Sequence, residues 1–360
     1  MTPPNSASRV VFAAAHVVAD PLGENAPGAP AVVDWDATLA FRHHLWSLGL
    51  GVADAMDTAQ RGMGLDWAAT RELITRSGAA ARSCGGLLAC GVGTDQVSGP
   101  VGLGGVRAAY AEQLAVVEAA GARPILMASR ALAAAALGPD DYLRVYADLI
   151  RQSSTPVILH WLGDMFDPAL AGYWGSPDLD EATETVLTLI GEHHDRIDGI
   201  KVSLLDADRE IALRRALPPG VRLYTGDDFH YPELIRGDKH GHSDALLGIF
   251  DPIAAVAADA LRALDHGDVG RYDALMRPTV PLARHLFAAP TYHYKTGIVF
   301  LAWLAGHQDH FTMVAGAQSA RSVPHLVRAY RLADAASVLP DPDLAAHRMR
   351  QLLAVAGVAA

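Results

Sequence analysis

Short runs of apolar, β-prone residues alternate along the first two thirds of the chain with longer segments whose apolar residues recur every three or four positions. The first pattern predicts buried strands and the second predicts amphipathic helices. Eight strands are predicted, at residues 10–19, 51–57, 86–93, 124–129, 156–162, 198–204, 221–225 and 245–250. Helices are predicted between them, at 36–48, 66–82, 106–120, 140–152, 179–195, 206–217 and 231–236. Eight repeated strand–helix units indicate parallel strands, and therefore a TIM (β/α)8 barrel of the α/β class.

The remainder of the chain has only the helical pattern. Helices are predicted at 253–264, 270–286, 294–305, 323–336 and 343–354. We therefore expect two parts, a barrel over residues 1–266 and a C-terminal helical extension over residues 267–360 that packs on the barrel.

Composition narrows the class of protein. The chain has 360 residues and is 51% hydrophobic, which is enough for a large core. Its net charge of −11, without clustered Lys and Arg, argues against a nucleic-acid partner. Cys84 and Cys90 lack the spacing of a metal site or a disulfide framework, so we expect a reducing, cytoplasmic location. No apolar run approaches the roughly 18 residues that a membrane span needs, so no membrane partner is expected.

In a barrel of this kind, chemistry takes place at the carboxyl ends of the strands. Polar residues follow or end most of the predicted strands and are the candidates for a substrate pocket. They are Asp57, Thr58 and Arg61 after the second strand, Thr94 after the third, Ser129 at the end of the fourth, His160 in the fifth, Lys201 in the sixth, and Asp227, Asp228 and His230 after the seventh.

Lys201 lies inside an apolar strand, with the local sequence DGIKVSLL. A charged, unpaired amine there would cost several kcal/mol. Desolvation lowers the pKa of a lysine, and the neutral amine is the form that adds to a carbonyl to give a Schiff base. The alternative is a structural lysine whose stem is buried and whose ammonium pairs with Asp227, Asp228 or another acid.

The sequence around Lys201 resembles that of a known family. The segments IDGIK and VRLYTGDD resemble the IxGIK and SGDD segments of the dihydrodipicolinate synthase and N-acetylneuraminate lyase family. PVILHWLG at 156–163 corresponds to the family's PxILYNVP strand, and 87–94 and 289–295 resemble further segments of it. The resemblance covers most of the chain. It implies a barrel with a C-terminal helical domain, a class I aldolase or dehydratase reaction through a lysine imine, no cofactor, and a homodimer or homotetramer.

Two departures from the family pattern bear on the chemistry. His160 stands where the family has its catalytic tyrosine, and an imidazole can still relay a proton. The family's carboxylate-binding turn is replaced by MDTAQRGMG, in which Asp57 would repel a carboxylate unless Arg61 neutralises it. A pocket for a keto sugar would suit Asp57, because carboxylates accept hydrogen bonds from hydroxyls. Alternatively, Asp57 and Arg61 simply pair with each other.

The segment at 292–295 is expected either to reach the barrel mouth, bringing His293 to the pocket, or only to pack its aromatic rings. We therefore expect a lysine-imine aldolase, lyase or dehydratase of carbohydrate metabolism, which acts on a sugar-derived keto acid or keto sugar. Lys201 would form the imine, and His160 would move the proton. The rival hypotheses are a metal-dependent isomerase or hydrolase that uses Asp227, His230, His240 and His242, and a non-catalytic sugar-binding barrel.

Overall fold

The computed structural model describes residues 8–358. Eight parallel strands pair in chain order and close into a barrel, with the last strand against the first. The strands are β1 Val11–Ala14, β2 Gly51–Asp54, β3 Leu88–Val92, β4 Arg123–Leu126, β5 Val157–Leu162, β6 Ile197–Ser203, β7 Arg222–Thr225 and β8 Asp244–Leu247. The predicted TIM barrel is therefore confirmed.

Helices surround this barrel and continue beyond it. They are α1 Trp35–Ser47, α2 Trp67–Cys84, α3 Leu103–Ala119, α4 Arg130–Ala135, α5 Pro139–Gln152, α6 Leu179–His193, α7 Ala207–Ala216, α8 Tyr231–Arg236, α9 Ala254–Asp265, α10 Val269–Met276, α11 Val280–Leu286, α12 Tyr294–Leu304, α13 Val323–Ala335 and α14 Pro342–Val355. The described helices include none that is both long enough and apolar enough to cross a membrane.

The barrel has two cores because both faces of every strand are buried. Phe12, Ile125, Ile158, Tyr224 and Leu246 come from five different strands and pack together in an inner cluster. The side chains that alternate with them, such as Leu159 and Leu247, belong to a larger cluster between the strands and the surrounding helices. Since the side chains of a strand alternate between faces, Lys201 lies on the same face of β6 as Gly199, toward the barrel interior.

Most strands are shorter than their apolar runs predict, and the first two show the cause. The run at 10–19 pairs only to Ala14, because Asp251 binds the His16 amide and Thr38 binds the Val18 amide, each by its side-chain oxygen. The run at 51–57 ends at Asp54, where Ala55 takes a positive φ of 51° and a 3₁₀ turn follows at Asp57–Ala59. Hydrophobicity alone does not show where side-chain hydrogen bonds take over from the ladder.

The C-terminal helices bring one segment back to the barrel mouth. The predicted helix at 270–286 is divided in two by a 3₁₀ turn at Arg277–Thr279, where Pro278 cannot supply an amide hydrogen. All eleven residues of α12 are buried, and this helix contacts α13, α14 and the turn at Asp57–Ala59. The predicted boundary between the barrel and the C-terminal extension, at 266/267, stays a prediction; α9 ends at Asp265. Residues 1–7 and 359–360, which the two predicted parts include, lie outside the described residues.

Candidate active site

Lys201 lies near the end of β6, between His160 of β5 and Tyr224 of β7 in the strand register. Only 7% of the residue is exposed. Burial lowers the pKa of the Lys201 amine, and the carboxylates of Asp57 and Asp228 oppose that effect. Lys201 forms no ion pair or hydrogen bond with any described residue. The amine is therefore held close to two acids without being fixed by either.

The Lys201 side chain borders a small cavity of about 10 Å³. Two groups from the turn after β2, Asp57 and Thr58, face it together with Asp228 from the loop after β7. The cavity is lined by Met56, Asp57, Thr58, Leu162, Phe166, Lys201, Ser203, Asp228, Gly248 and Tyr294. Four of the residues predicted from the sequence therefore meet at one point of the barrel mouth.

Asp228 is an acid of this cavity whose pKa is strongly raised. Its Oδ1 accepts a hydrogen bond of 2.9 Å from the Ile249 amide. Burial raises the pKa of Asp228 to about 7, despite the opposing effects of that amide and of Lys201. Burial thus shifts the acid and the amine toward their neutral forms together.

His160 lies directly beside Lys201 but is completely buried. Its Nε2 is 3.5 Å from the Ser203 hydroxyl, and its Nδ1 has no partner among the described residues. Burial, and secondarily the charge of Lys201, lower the pKa of His160 well below 6.5. The imidazole is consequently neutral at physiological pH, and its ring is not among the groups that line the cavity. Its role in proton transfer stays a prediction.

A second, larger cavity of about 300 Å³ adjoins the first, and Asp57 lines both. The hydroxyls of Thr94 and Ser129 are hydrogen-bonded to each other there, at 2.6 Å. Ser129 also caps α4 by accepting a hydrogen bond from the Leu132 amide. Both residues were predicted to bind substrate, and both line this cavity.

Arg61 lies in the second cavity, but it does not neutralise Asp57. Its guanidinium donates to Asp95 Oδ1 from Nε and Nη2, at 3.0 and 2.6 Å. It also binds the carbonyl of Gly91 and the side chain of Gln113. The alternative of an Asp57–Arg61 pair is therefore wrong, since Asp95, Gly91 and Gln113 bind the guanidinium. The Asp57 carboxylate lies close enough to Lys201 and to the buried Lys295 to raise the pKa of both amines against the effect of burial.

Asp227, His230 and His293, like His160, do not line either cavity. Asp227 accepts hydrogen bonds from the Phe229 and His230 amides and bonds to His230 Nδ1 at 2.9 Å, which fixes the loop after β7. His293 is half-buried in a 3₁₀ turn at Thr291–His293. Across residues 8–358, no three or more His, Cys, Asp or Glu side chains are grouped so as to hold a metal ion.

Tyr294 is one of the cavity residues that the sequence prediction did not include. It begins α12, and its hydroxyl is hydrogen-bonded to the Thr58 hydroxyl at 2.9 Å. The ring stacks on Phe287 with 4.3 Å between centroids. The segment at 292–295 was expected either to reach the barrel mouth or only to pack its aromatic rings, and the first alternative named His293 instead of Tyr294.

Similar folds occur in solved dihydrodipicolinate synthases. The enzyme from Aquifex aeolicus matches with a TM-score of 0.68 and 13% identity, over 92% of this chain and 99% of that one. The enzyme from Thermotoga maritima matches with a TM-score of 0.69 and 11% identity, over 92% and 99%. That from Bacteroides thetaiotaomicron gives 0.68 and 13%, over 92% and 99%. At these identities the likeness confirms the fold expected from the resemblance.

A comparison with curated proteins gives no match. A family model described as "Protein of unknown function (DUF993)" matches residues 1–358, which is nearly the whole chain. The chain therefore belongs to the DUF993 family, whose members we expect to share this barrel and its C-terminal helices.

Proposed function

We propose that this protein is a class I lyase or dehydratase in which Lys201 forms an imine with a sugar-derived keto acid or keto sugar. The observation that carries the proposal is that a buried amine of lowered pKa and the carboxyl group of Asp228 line the same cavity. A buried lysine without an ion pair is costly, and a nucleophilic amine is a function that accounts for it. The fold shared with dihydrodipicolinate synthases supports the same chemistry.

The Lys201–Asp228 pair supplies what imine formation requires. The neutral amine adds to the substrate carbonyl, and a proton moves from nitrogen to oxygen to give a carbinolamine. Asp228 then protonates the hydroxyl, which leaves as water while the nitrogen lone pair forms the C=N⁺ bond. The products are an iminium ion, a carboxylate on Asp228 and one water, so atoms and charge balance. The iminium then withdraws electrons from the neighbouring carbon, which permits bond cleavage or loss of water there.

The second cavity supports a polyhydroxylated substrate. The Lys201 cavity has room for little more than a reacting group, so the remainder of a substrate must extend past Asp57 into the adjoining space. Hydroxyls of Thr94 and Ser129 and the carboxylates of Asp57, Asp95 and Asp167 line that space. Carboxylates accept hydrogen bonds from sugar hydroxyls, whereas the Arg130 guanidinium in this space is already ion-paired with Asp167 at 2.5 Å. A homo-oligomer and a cytoplasmic location stay predictions.

The activity can be tested by incubating the protein with a panel of 2-oxo acids and keto sugars and following cleavage or dehydration by NMR. We expect turnover of at least one polyhydroxylated member, and complete loss of that turnover in Lys201→Met. Turnover that survives Lys201→Met but disappears on treatment with a chelator would show a metal-dependent enzyme instead. Tight binding without turnover would indicate a sugar-binding barrel.

A further inference from the structure

The C-terminal helical extension places a phenol in the lysine cavity. Tyr294, the first residue of α12, lines the same cavity as Lys201, Asp57 and Asp228. Its position is fixed from two sides, by the hydrogen bond of 2.9 Å to Thr58 and by the stacking of its ring on Phe287. A phenol that served only packing would not need to face a polar cavity that contains a reactive amine.

We propose that Tyr294 is the residue that moves the proton lost by the substrate when the Lys201 iminium becomes an enamine. The inference rests on the proposed imine function and adds a specific group to it. The proton comes from the carbon next to the imine carbon, or from a hydroxyl one carbon further away when a carbon–carbon bond is cleaved. The extension is thereby part of the active site, because it supplies a phenol to a barrel whose fifth strand has His160 in place of a tyrosine.

The step balances within the cavity. The substrate proton passes to the Tyr294 oxygen while the phenol proton passes to a carboxylate of the cavity, Asp57 or Asp228. The electron pair that is released forms the enamine double bond, and the iminium nitrogen becomes neutral. Burial and the charges of Asp57 and Asp228 raise the pKa of Tyr294 well above 10. The phenol therefore starts protonated and acts as a relay, and the positive iminium favours its transient ionisation.

The geometry favours Tyr294 over His160 for this task. Tyr294 lines the cavity and its hydroxyl has the Thr58 hydroxyl as a partner, whereas His160 does not line the cavity and its ring has only a long contact to Ser203 among the described residues. A proton-transfer group must lie within hydrogen-bond reach of the proton that it moves. His160 lies beside the Lys201 stem and is better placed to pack against it than to meet the substrate.

The test separates imine formation from proton transfer. Pyruvate and dihydroxyacetone serve as probes, and exchange of their protons next to the carbonyl for deuterium is followed by NMR in D₂O. Borohydride trapping of the same probes measures the imine at Lys201. For Tyr294→Phe we expect exchange to fall about 100-fold or more, with the trapped fraction within about twofold of the wild-type value. Tyr292→Phe is the matched control, because it removes a neighbouring phenol that does not line the cavity, and it should exchange at the wild-type rate.

Wild-type exchange in Tyr294→Phe would overturn the inference, as would a loss of exchange in His160→Gln that Tyr294→Phe does not show. Should Tyr294→Phe fail to fold, Thr58→Val provides the second test, because it removes the partner and leaves the phenol. We expect Thr58→Val to slow exchange about 3- to 10-fold and to change its pH profile, and an unchanged rate would count against the relay. Absence of any Lys201 adduct in the wild-type protein would instead refute the proposed function itself.

Discussion

Lys201 of β6 and Gly226, which directly follows β7, approach so closely that Gly226 has no room for a side chain. A Cβ at Gly226 would lie 2.8 Å from Lys201 Cε and closer still to the Ser203 hydroxyl. The amide of Gly226 also donates to the Val202 carbonyl at 2.8 Å, which holds the loop against β6. Since the backbone of Gly226 is not in the left-handed region, the glycine is required for space around the lysine.

The first prediction follows from that close approach. Gly226→Ala should displace the Lys201 stem and the Ser203 side chain, and the overpacking should destabilise the fold by about 1–3 kcal/mol. Borohydride trapping of a carbonyl probe at Lys201 should fall markedly even under conditions in which the variant is folded. Gly191→Ala is the control, because a Cβ at this exposed position of α6 meets nothing. Equal trapping in both variants would contradict the account.

The second prediction concerns the proton that Asp228 supplies. The rate of imine formation should fall as pH rises through about 7, where Asp228 loses its proton, and should fall again at low pH, where Lys201 becomes charged. Asp228→Asn should slow adduct formation by about 10²–10⁴ and remove the alkaline fall near pH 7. It should also move the acidic fall to lower pH, because it removes a charge that raises the pKa of Lys201.

The measurement is the rate of trappable adduct formation with dihydroxyacetone between pH 5 and about 9. Asp208→Asn, which changes an exposed carboxylate at the start of α7, is the matched control and should behave as the wild type. A profile for Asp228→Asn that coincides with the wild-type profile would remove Asp228 from the mechanism.

The third prediction concerns the pH dependence of stability. Burial raises the pKa of Glu210 to about 8, although the hydroxyls of Ser243 and Thr225 donate to its carboxyl group at 2.8 and 2.9 Å. A folded-state pKa above the unfolded value of 4.5 means that the folded protein binds more protons between those values. Its contribution to stability is therefore full below pH 4.5 and is lost as pH rises through about 8.

Glu210→Gln keeps the shape and hydrogen-bonding capacity of the neutral acid but cannot ionise. Its free energy of unfolding should exceed that of the wild type by about 1–3 kcal/mol above pH 8, and the two should converge toward pH 4.5. Urea unfolding at a series of pH values measures the difference. A constant difference at every pH would mean that Glu210 does not titrate in this window.

The fold could be predicted from the sequence because each strand is buried on both faces. Runs such as the one at 245–250 are apolar throughout, and amphipathic helices separate them, which leaves a parallel barrel as the simplest arrangement. The positions at which the strands end were harder to predict from the sequence. The turn after Asp54 depends on the positive φ of Ala55, and the end of β1 depends on a hydrogen bond that the His16 amide donates to the distant Asp251, neither of which hydrophobicity encodes.

The site was predictable where it depends on strand ends and not where it depends on tertiary packing. Lys201, Asp57, Thr58 and Asp228 follow from their positions at the carboxyl ends of strands, where a barrel gathers its polar residues. The pairing of Arg61 with Asp95 could not be foreseen, because it joins loops after two different strands. Tyr294 enters from α12, whose path back to the barrel mouth only the packed structure shows.

The central claim is that Lys201 is an imine-forming nucleophile. The most direct measurement is borohydride reduction in the presence of pyruvate, dihydroxyacetone or a longer keto sugar, followed by intact mass and peptide mapping. We predict one covalent adduct per chain, located at Lys201 and absent from Lys201→Met, with the other buried lysine, Lys295, unmodified. Failure of every carbonyl probe to label Lys201, or labelling that persists unchanged in Lys201→Met, would contradict the account.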